Sequence, residues 1–189
     1  KSYPHRQSVY KNADLKYVPL DANGSQSILY DIVSLIKATK KSDVILILGV
    51  SGCCFLPIYR LFSKKRLVIN IDGLEHRREK WGKYAKAFLK FSEKMAVKYA
   101  DAVIADNKGI QDYVREEYGK EAELIAYGGD HVLCDIADVE EQILEKYGLK
   151  NISYSFSLCR IEPENNVHVI LEAFKASGKE LFFVGNWNR

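Results

Sequence analysis

Short runs of apolar residues alternate along the chain with amphipathic segments of helical spacing. The apolar runs predict β-strands, at Tyr17–Leu20, Val44–Leu48, Leu67–Ile71, Ala102–Ala105, Glu123–Ala126, Ser153–Cys159 and Leu181–Val184. The amphipathic segments predict helices at Ser25–Lys37, Arg77–Tyr99, Lys108–Tyr118, Val139–Tyr147 and Val167–Ala176, and a short helix after the second strand. This alternating order predicts an α/β fold with a mostly parallel sheet and right-handed crossovers.

Three local features refine this prediction. Val44–Leu48 is apolar at every position, as is typical of a strand buried on both faces of a parallel sheet. Before the first helix, Asn23 and Gly24 predict a turn, and Ser25 predicts a helix cap. The strand–helix pattern restarts after Asp130, which predicts two domains, residues 1–131 and residues 132–189.

The composition is that of a folded, water-soluble protein. The chain has 189 residues, of which 47% are hydrophobic and 28% charged, and this excludes a disordered chain or a low-complexity fibre. The longest uncharged apolar stretch, Val44–Tyr59, contains glycine and proline and is shorter than the roughly 20 residues of a membrane-spanning helix. The four cysteines form no C-x-x-C pair, which argues against structural zinc and suits a reducing, cytoplasmic location.

The charge is unevenly distributed along the chain. Residues 60–100 carry a net charge of +8, and residues 101–189 carry −8. On the predicted helix Arg77–Tyr99, six lysines share a sector of about 120°: Lys80, Lys83, Lys86, Lys90, Lys94 and Lys98. The aromatic residues of this helix, including Tyr84, are predicted to face the core. This face fits either a solvated surface or a docking surface for an anionic membrane or another polyanion. No nucleic-acid recognition motif accompanies it.

Polar residues follow several predicted strands, at the edge where parallel α/β sheets bind ligands. Asp72, Glu75 and His76 come together after one strand. Two carboxylates and an imidazole suit a polar active site, although Asp72 could instead cap a helix. Gly49–Gly52 follows the preceding strand. It lacks the phosphate-loop and dinucleotide-binding motifs, so it fits a tight turn or a close backbone approach to a ligand.

Arg160 stands directly after a predicted strand and before a turn that contains Pro163. An arginine beside the amino end of the following helix suits a phosphate or pyrophosphate group. An ion pair with Glu162 or Glu164 would explain the same residue equally well.

An ordered set of motifs resembles one known family. The motifs are, in chain order, Asp72-Gly73-Leu74-Glu75, Trp81-Gly82-Lys83, Tyr99 to Asp106, Tyr127-Gly128-Gly129-Asp130 and Arg160 to Asn166. The set is similar to the bacterial rhamnosyltransferase-like branch of the GT-B glycosyltransferases, a retaining group that uses nucleotide-activated sugars. The resemblance covers nearly all of residues 10–189.

The resemblance implies two facing Rossmann-like domains, with the acceptor on the N-terminal domain and the nucleotide sugar on the C-terminal domain. It places Arg160 at the donor pyrophosphate, with Gly128 and Asn165 on the donor side; Asn165 replaces a lysine that is usual in the wider group. It places Asp72, where many relatives have a histidine, and Glu75 near the transferred sugar or the acceptor hydroxyl. Beyond the nucleoside-diphosphate sugar itself, it implies no cofactor and no metal ion.

The function expected from the resemblance is sugar transfer, with dTDP-rhamnose as the leading donor, to a lipid-linked or saccharide acceptor during cell-surface polysaccharide synthesis. An anionic membrane surface would be a further partner, bound by the lysine face from the cytoplasmic side, and nucleic acid would not be a partner.

The resemblance also implies that parts of the enzyme are missing from this chain. Enzymes of this family begin with a strand and a glycine-rich loop and end with donor-site glutamates that the chain does not contain, so we expect both domains to be incomplete and the chain alone to be inactive.

Two other classes of function remain open. One is a non-catalytic peripheral module that binds membranes or polyanions. The other is a different nucleotide enzyme, such as a dehydrogenase, against which the missing dinucleotide motif counts.

Overall fold

The computed structural model describes residues 6–22, 24, 26–133 and 137–187, without the side chains of residue 131 and residues 137–140. Contacts divide the chain into two units. The first unit extends to Tyr127, apart from the short segment Arg78–Lys80. That segment groups with the second unit, which begins at Gly128; the sequence predicts the domain boundary after residue 131.

The first unit contains a four-stranded parallel sheet. Its strands are β3 (Val44–Leu48), β4 (Arg66–Ile71), β5 (Ala102–Ala105) and β6 (Glu123–Leu124), which lie side by side in this order. Its helices are α1 (Gln26–Thr39), α2 (Leu56–Phe62), α3 (Lys83–Tyr99) and α4 (Lys108–Tyr118). The α/β class and the parallel sheet predicted from the pattern are confirmed.

The core of this unit lies between the sheet and the crossover helices. Sequential parallel strands joined by right-handed crossovers place α2, α3 and α4 on one side of the sheet. The strands contribute Leu67, Ile69, Ile71, Val103 and Ala105, all at most 1% exposed, and the helices cover them with Leu56, Tyr59, Ala96, Val97 and Val114.

The opposite face of β3 is exposed. Val44, Leu46 and Leu48 are 52%, 54% and 73% exposed, whereas Ile45 is buried. The prediction that this strand is buried on both faces was therefore wrong. In the described part of the chain, β3 is an edge strand whose one hydrogen-bonded neighbour is β4, and alternate side chains of a strand point to opposite faces.

The predicted strand at Tyr17–Leu20 is also absent. The structure has instead an antiparallel hairpin of β1 (Val9–Tyr10) and β2 (Ala13–Asp14). Its two-residue turn is formed by Lys11 and Asn12, both with positive φ, the backbone that a tight hairpin turn requires. The predicted turn residue Asn23 and helix cap Ser25 lie outside the described residues.

Helix α3 begins later than predicted, at Lys83 rather than Arg77. Gly82 precedes it in an extended conformation, and Glu75–Arg77 form a separate turn of 3-10 helix. Lys80 therefore lies in the connecting segment and not on the helix. Tyr84 is 91% exposed, so the prediction that it faces the core was wrong; it lies on the side of α3 that also carries the exposed Phe91 and Lys94.

Asp101 joins three elements of the first unit at the amino end of β5. One carboxylate oxygen accepts hydrogen bonds from the Leu67 backbone N–H and from Arg60, each at 2.7 Å. Arg60, on α2, also donates to the carbonyl oxygen of Tyr99 at the end of α3, at 2.7 Å. The hydrogen bond from Leu67, followed by that from Arg60, lowers the pKa of Asp101.

Glu93 lies at the centre of a buried polar network between α3 and α4. Its side chain is 1% exposed and accepts hydrogen bonds from Tyr113 (2.6 Å) and Tyr118, while its other oxygen lies 3.1 Å from Nδ1 of His76. Burial, followed by the Glu93 carboxylate, raises the pKa of both phenols, so they remain hydrogen-bond donors. Lys90 lies at the edge of the network, 2.9 Å from Glu117.

The second unit has a two-stranded parallel sheet. Its strands are β7 (Ser155–Leu158) and β8 (Leu181–Val184), and its helices are α5 (Ala137–Lys146) and α6 (Val167–Ser177). Phe182 on β8 packs against the aromatic rings of Tyr147, Tyr154 and Phe156. Helix α6 ends at Gly178, whose φ of 63° is the left-handed conformation favoured for glycine at a helix end.

We expect Asp101→Asn to lower the free energy of unfolding at pH 7 by about 1 kcal/mol, because Arg60 loses its charged partner at a partly exposed site. The pKa of Asp101 is lower in the folded state, so its contribution is present above the unfolded pKa of about 3.9 and is lost as pH falls through the folded pKa. Urea unfolding of both proteins should therefore give a difference that shrinks as pH falls below about 4. Glu116→Gln, at an exposed carboxylate of α4, is the control; an equal effect of both variants would contradict this prediction.

We expect Glu93→Ala to lower the free energy of unfolding by about 3–5 kcal/mol, because it leaves buried donors without their acceptor. Glu93→Gln keeps one acceptor oxygen and should cost less. Urea unfolding monitored by circular dichroism measures both, again with Glu116→Gln as the control. A loss for Glu93→Ala no larger than that of the control would show that the network does not stabilise the fold.

Candidate functional site

The turn after β3 is closed against α1. Gly49 has a φ of 89°, in the left-handed region that favours glycine, and its N–H donates to the Asn70 carbonyl at 3.2 Å. Ser51 donates to the carboxylate of Asp31 on α1. A Cβ atom at Gly52 would overlap the Asp31 side chain. Gly49 therefore allows a tight turn, and Gly52 allows a close approach of the backbone to the side chain of Asp31.

The loop after β4 holds the carboxylates predicted as catalytic. Asp72 is exposed at the end of the strand, and Glu75 is half-buried. Oε2 of Glu75 accepts a hydrogen bond from the indole N–H of Trp81 at 3.3 Å. His76 turns toward Glu93, which anchors the loop to α3. The structure thus places Asp72 and Glu75 at the same sheet edge and gives the neighbouring histidine a structural partner.

Sequence reasoning missed Glu93. It lies within the predicted helix Arg77–Tyr99, whose many charged residues predict a solvated surface rather than a buried carboxylate. One signal points to it: it is the only acidic residue between Lys80 and Asp101. In the structure its contact with His76 helps to hold the loop that carries Asp72 and Glu75.

In the second unit, Arg160 follows β7 and begins a turn before α6. The Asn165 amide donates to the backbone carbonyl of Arg160 at 2.6 Å, and the N–H of Glu162 donates to the same oxygen at 3.0 Å. Asn166, with φ 49°, then leads into α6. One amide N–H of Asn165 is therefore used to shape the turn, at the position where the family resemblance predicts a donor contact.

The side chain of Arg160 is exposed, and within the described ranges no carboxylate forms an ion pair with it. Glu164, one of the two partners that the sequence suggests, binds Arg78 instead, with 2.8 Å between Nε and Oε1. The ion pair lowers the pKa of Glu164. The guanidinium of Arg160 is thus available to an anionic ligand.

An open cavity of about 480 Å³ lies at the carboxyl ends of β7 and β8. Its volume is in the range of small-molecule sites; it is lined by Leu158, Cys159, Arg160, Ile161, Val184, Gly185 and Asn186. A Cβ atom at Gly185 would lie 3.0 Å from the Cys159 carbonyl oxygen and 3.0 Å from the Phe183 ring, so a side chain there would require the neighbouring atoms to shift. Gly185 and Asn186 are not among the predicted site residues, although a glycine directly after a parallel strand is a recognisable signal.

Gly128, the third predicted donor-side residue, is exposed, and a Cβ atom there would meet nothing within 4 Å. The lysines predicted to dock on a membrane have different environments. Lys83 and Lys94 are exposed on α3, and Lys80 is exposed before it. Lys86 is half-buried, and Lys90 faces Glu117 and Tyr113.

The described helices include none that is both long and apolar enough to cross a membrane. The described residues also contain no group of three or more histidine, cysteine, aspartate or glutamate side chains arranged to hold a metal ion. The prediction that the reaction needs no metal or cofactor remains a prediction.

Comparison with solved structures identifies proteins of similar fold. UDP-N-acetylglucosamine 2-epimerase from Rickettsia bellii matches with a TM-score of 0.52 and 19% identity, over 87% of this chain and 45% of that one. S. aureus MnaA, in a co-structure with UDP, matches with a TM-score of 0.51 and 14% identity, over 89% of this chain and 48% of that one. The chain thus spans about half the length of these proteins. At such identities the likeness shows the fold alone, which is Rossmann-like and of the GT-B type, as the sequence predicts.

Comparison with other sequences identifies the family. No curated protein matches the chain. One family model matches residues 3–130, and its description is "Domain of unknown function (DUF1972)". This match includes the loop after β4 and all of α3 and α4. Because it spans more than half of the chain, the protein belongs to the DUF1972 family.

Proposed function

We propose that the protein is a glycosyltransferase that uses a nucleoside-diphosphate sugar. The observation that carries this proposal is the exposed Arg160 beside the open cavity at the ends of β7 and β8, with no ion-pair partner among the residues that the structure describes. An arginine at such an edge suits a pyrophosphate, because its planar fork can bind two phosphate oxygens. The fold supports the same substrate class, since the similar structures include an enzyme named for a UDP-sugar and a protein solved with UDP.

The finer parts of the proposal come from the ordered motifs shared with the rhamnosyltransferase-like branch. We propose rhamnose or another hexose as the transferred sugar and a lipid-linked or saccharide acceptor in cell-surface polysaccharide synthesis. The reaction would proceed with retention at the anomeric carbon and without a metal ion. The protein would work in the cytoplasm, at the inner face of the membrane.

The chemistry requires stabilisation of a leaving group. The bond between the anomeric carbon and the β-phosphate oxygen breaks, and the nucleoside diphosphate leaves with one additional negative charge. The acceptor hydroxyl oxygen forms the new glycosidic bond and releases its proton. A fixed cation near the departing phosphate stabilises the transition state more than the ground state, and this is the role we assign to Arg160.

Asp72 and Glu75 are our candidates for the acceptor side of the reaction. Both lie in the loop at the carboxyl end of β4, where a carboxylate can receive the acceptor proton or bind sugar hydroxyls. The Trp81 indole and the His76–Glu93 contact hold this loop. A preorganised loop lowers the reorganisation needed for reaction.

Calorimetry of the full-length protein with dTDP, UDP and GDP tests the donor site. We expect one nucleotide to bind, and Arg160→Ala to weaken that binding about tenfold or more, because a charge-assisted contact with a phosphate contributes about 1.5–3 kcal/mol. Lys179→Ala is the matched control, since Lys179 is an exposed cation before the amino end of β8. If none of the three nucleotides binds, the transferase proposal is wrong, and a non-catalytic module becomes the better interpretation.

Turnover measurements on the full-length protein test the acceptor side. Asp72→Asn and Glu75→Gln should each slow release of nucleoside diphosphate from the nucleotide sugar by about 10²-fold or more, with nucleotide affinity unchanged. The measurement uses a lipid extract as the acceptor source, and Glu79→Gln, at the next acidic residue, is the control. Formation of an isomeric nucleotide sugar without free nucleoside diphosphate would identify an epimerase and would exclude sugar transfer.

A further inference from the structure

The outward side of α3 combines positive charge with exposed aromatic rings. Lys83, Lys94 and Lys98 are exposed there. Between them lie Tyr84, which is 91% exposed, and Phe91, which is 50% exposed. At 100° per residue these five side chains fall within one sector of about 100°, so they share one face of the helix. We call these five residues the α3 outer face.

Among the described residues, no ion pair neutralises the lysines of the α3 outer face. Glu93 is the only acidic residue on the helix, and it is buried in the network on the opposite side. Lys90 pairs with Glu117 of α4 at the flank. Across the residues that the structure describes, no carboxylate forms an ion pair with Lys83, Lys94 or Lys98.

The neighbouring helix α2 also exposes apolar side chains. It packs against α3, and its Arg60 donates a hydrogen bond to the Tyr99 carbonyl oxygen at the end of α3. Its outward side exposes Ile58 (54%) and Leu61 (85%). The helix contains no acidic residue, and two lysines follow it, of which Lys65 forms an ion pair with Asp43 at 3.3 Å and Lys64 is exposed. An exposed aromatic and aliphatic surface flanked by cations is unusual for a surface that meets only water.

We propose that the α3 outer face, together with Ile58 and Leu61 of α2, binds the surface of an anionic lipid bilayer. The lysines would contact anionic headgroups, and Tyr84, Phe91 and Leu61 would enter the boundary between headgroups and acyl chains. Tyrosine is enriched at membrane interfaces because its ring is apolar while its hydroxyl group remains in contact with water, and phenylalanine supplies apolar surface that can enter the boundary. The charge favours an anionic partner, and the exposed apolar side chains favour a bilayer over a soluble polyanion. This proposal does not rest on the proposed glycosyltransferase activity.

Sedimentation with lipid vesicles tests the proposal. We expect binding to vesicles of phosphatidylcholine containing one quarter phosphatidylglycerol, and little binding to vesicles of phosphatidylcholine alone. Raising the salt concentration to about 1 M, where the Debye length is about 3 Å, should release most of the bound protein. Equal binding to both kinds of vesicle would overturn the electrostatic part of the proposal.

Two sets of variants locate the surface. Lys83→Gln/Lys94→Gln/Lys98→Gln should weaken binding about 100-fold, at about fivefold for each lysine near the membrane. The matched control carries three substitutions on another exposed part of the same unit and removes the same charge: Lys37→Gln, Lys40→Gln and Lys41→Gln. An equal loss in both triple variants would show that net charge alone drives binding and would overturn the assignment to α3.

The aromatic variants test insertion. Tyr84→Ser/Phe91→Ser should weaken vesicle binding at least tenfold and remove what remains at high salt, whereas Tyr10→Ser, at an exposed tyrosine of the hairpin, should not. The side chains of Tyr84, Phe91 and Tyr10 are each at least half exposed, so circular dichroism should show unchanged folding. Binding to soluble heparin that is as strong as binding to vesicles, and unaffected by Tyr84→Ser/Phe91→Ser, would identify a polyanion ligand and would overturn the bilayer proposal.

Discussion

The buried carboxylate of Glu93 is the constraint on which the first unit depends most. A carboxylate that is 1% exposed is tolerated only when its oxygens are satisfied by hydrogen bonds. Its partners come from α4, through Tyr113 and Tyr118, and from the loop after β4, through His76. The helix, its neighbour and the loop must therefore adopt one arrangement together. Asp72 lies at the sheet edge because it directly follows β4, and the His76–Glu93 contact fixes the end of the loop beyond Glu75.

Helix α3 has two faces with different roles because of the same constraint. Its inner side carries Ser92 and Glu93 into hydrogen bonds with neighbouring elements. This orientation directs Tyr84, Phe91 and three lysines outward. A lysine would be unfavourable on the inner side, because its charge would be buried. On the outer side, water or a ligand can contact it. The polar network thus determines which residues of the helix are available to a partner.

The carboxyl ends of the strands differ between the two units. In the first unit, the glycine turn after β3 is occupied by the Asp31–Ser51 contact, and the polar groups lie in the loop after β4. In the second unit, the ends of β7 and β8 leave an open cavity beside Arg160. Parallel α/β sheets bind ligands at this edge because helix amino ends and loop residues converge there. The proposed transferase activity assigns the donor phosphates to the second unit and the acceptor chemistry to the first.

The sequence by itself determined the fold class and most of the elements. The bounds of β3, β5, α4 and β8 agree with the pattern, because strand and helix periods depend on residues that are near one another in the chain. The position of Arg160 at the carboxyl edge of the sheet also follows from the sequence, because the residues that follow a parallel strand lie at that edge. Only the tertiary structure decided which faces are covered. Val44 and Tyr84 are exposed, and Glu93 is buried, because burial depends on elements that are distant in sequence, and a periodic pattern records which residues share a face but not what lies against it.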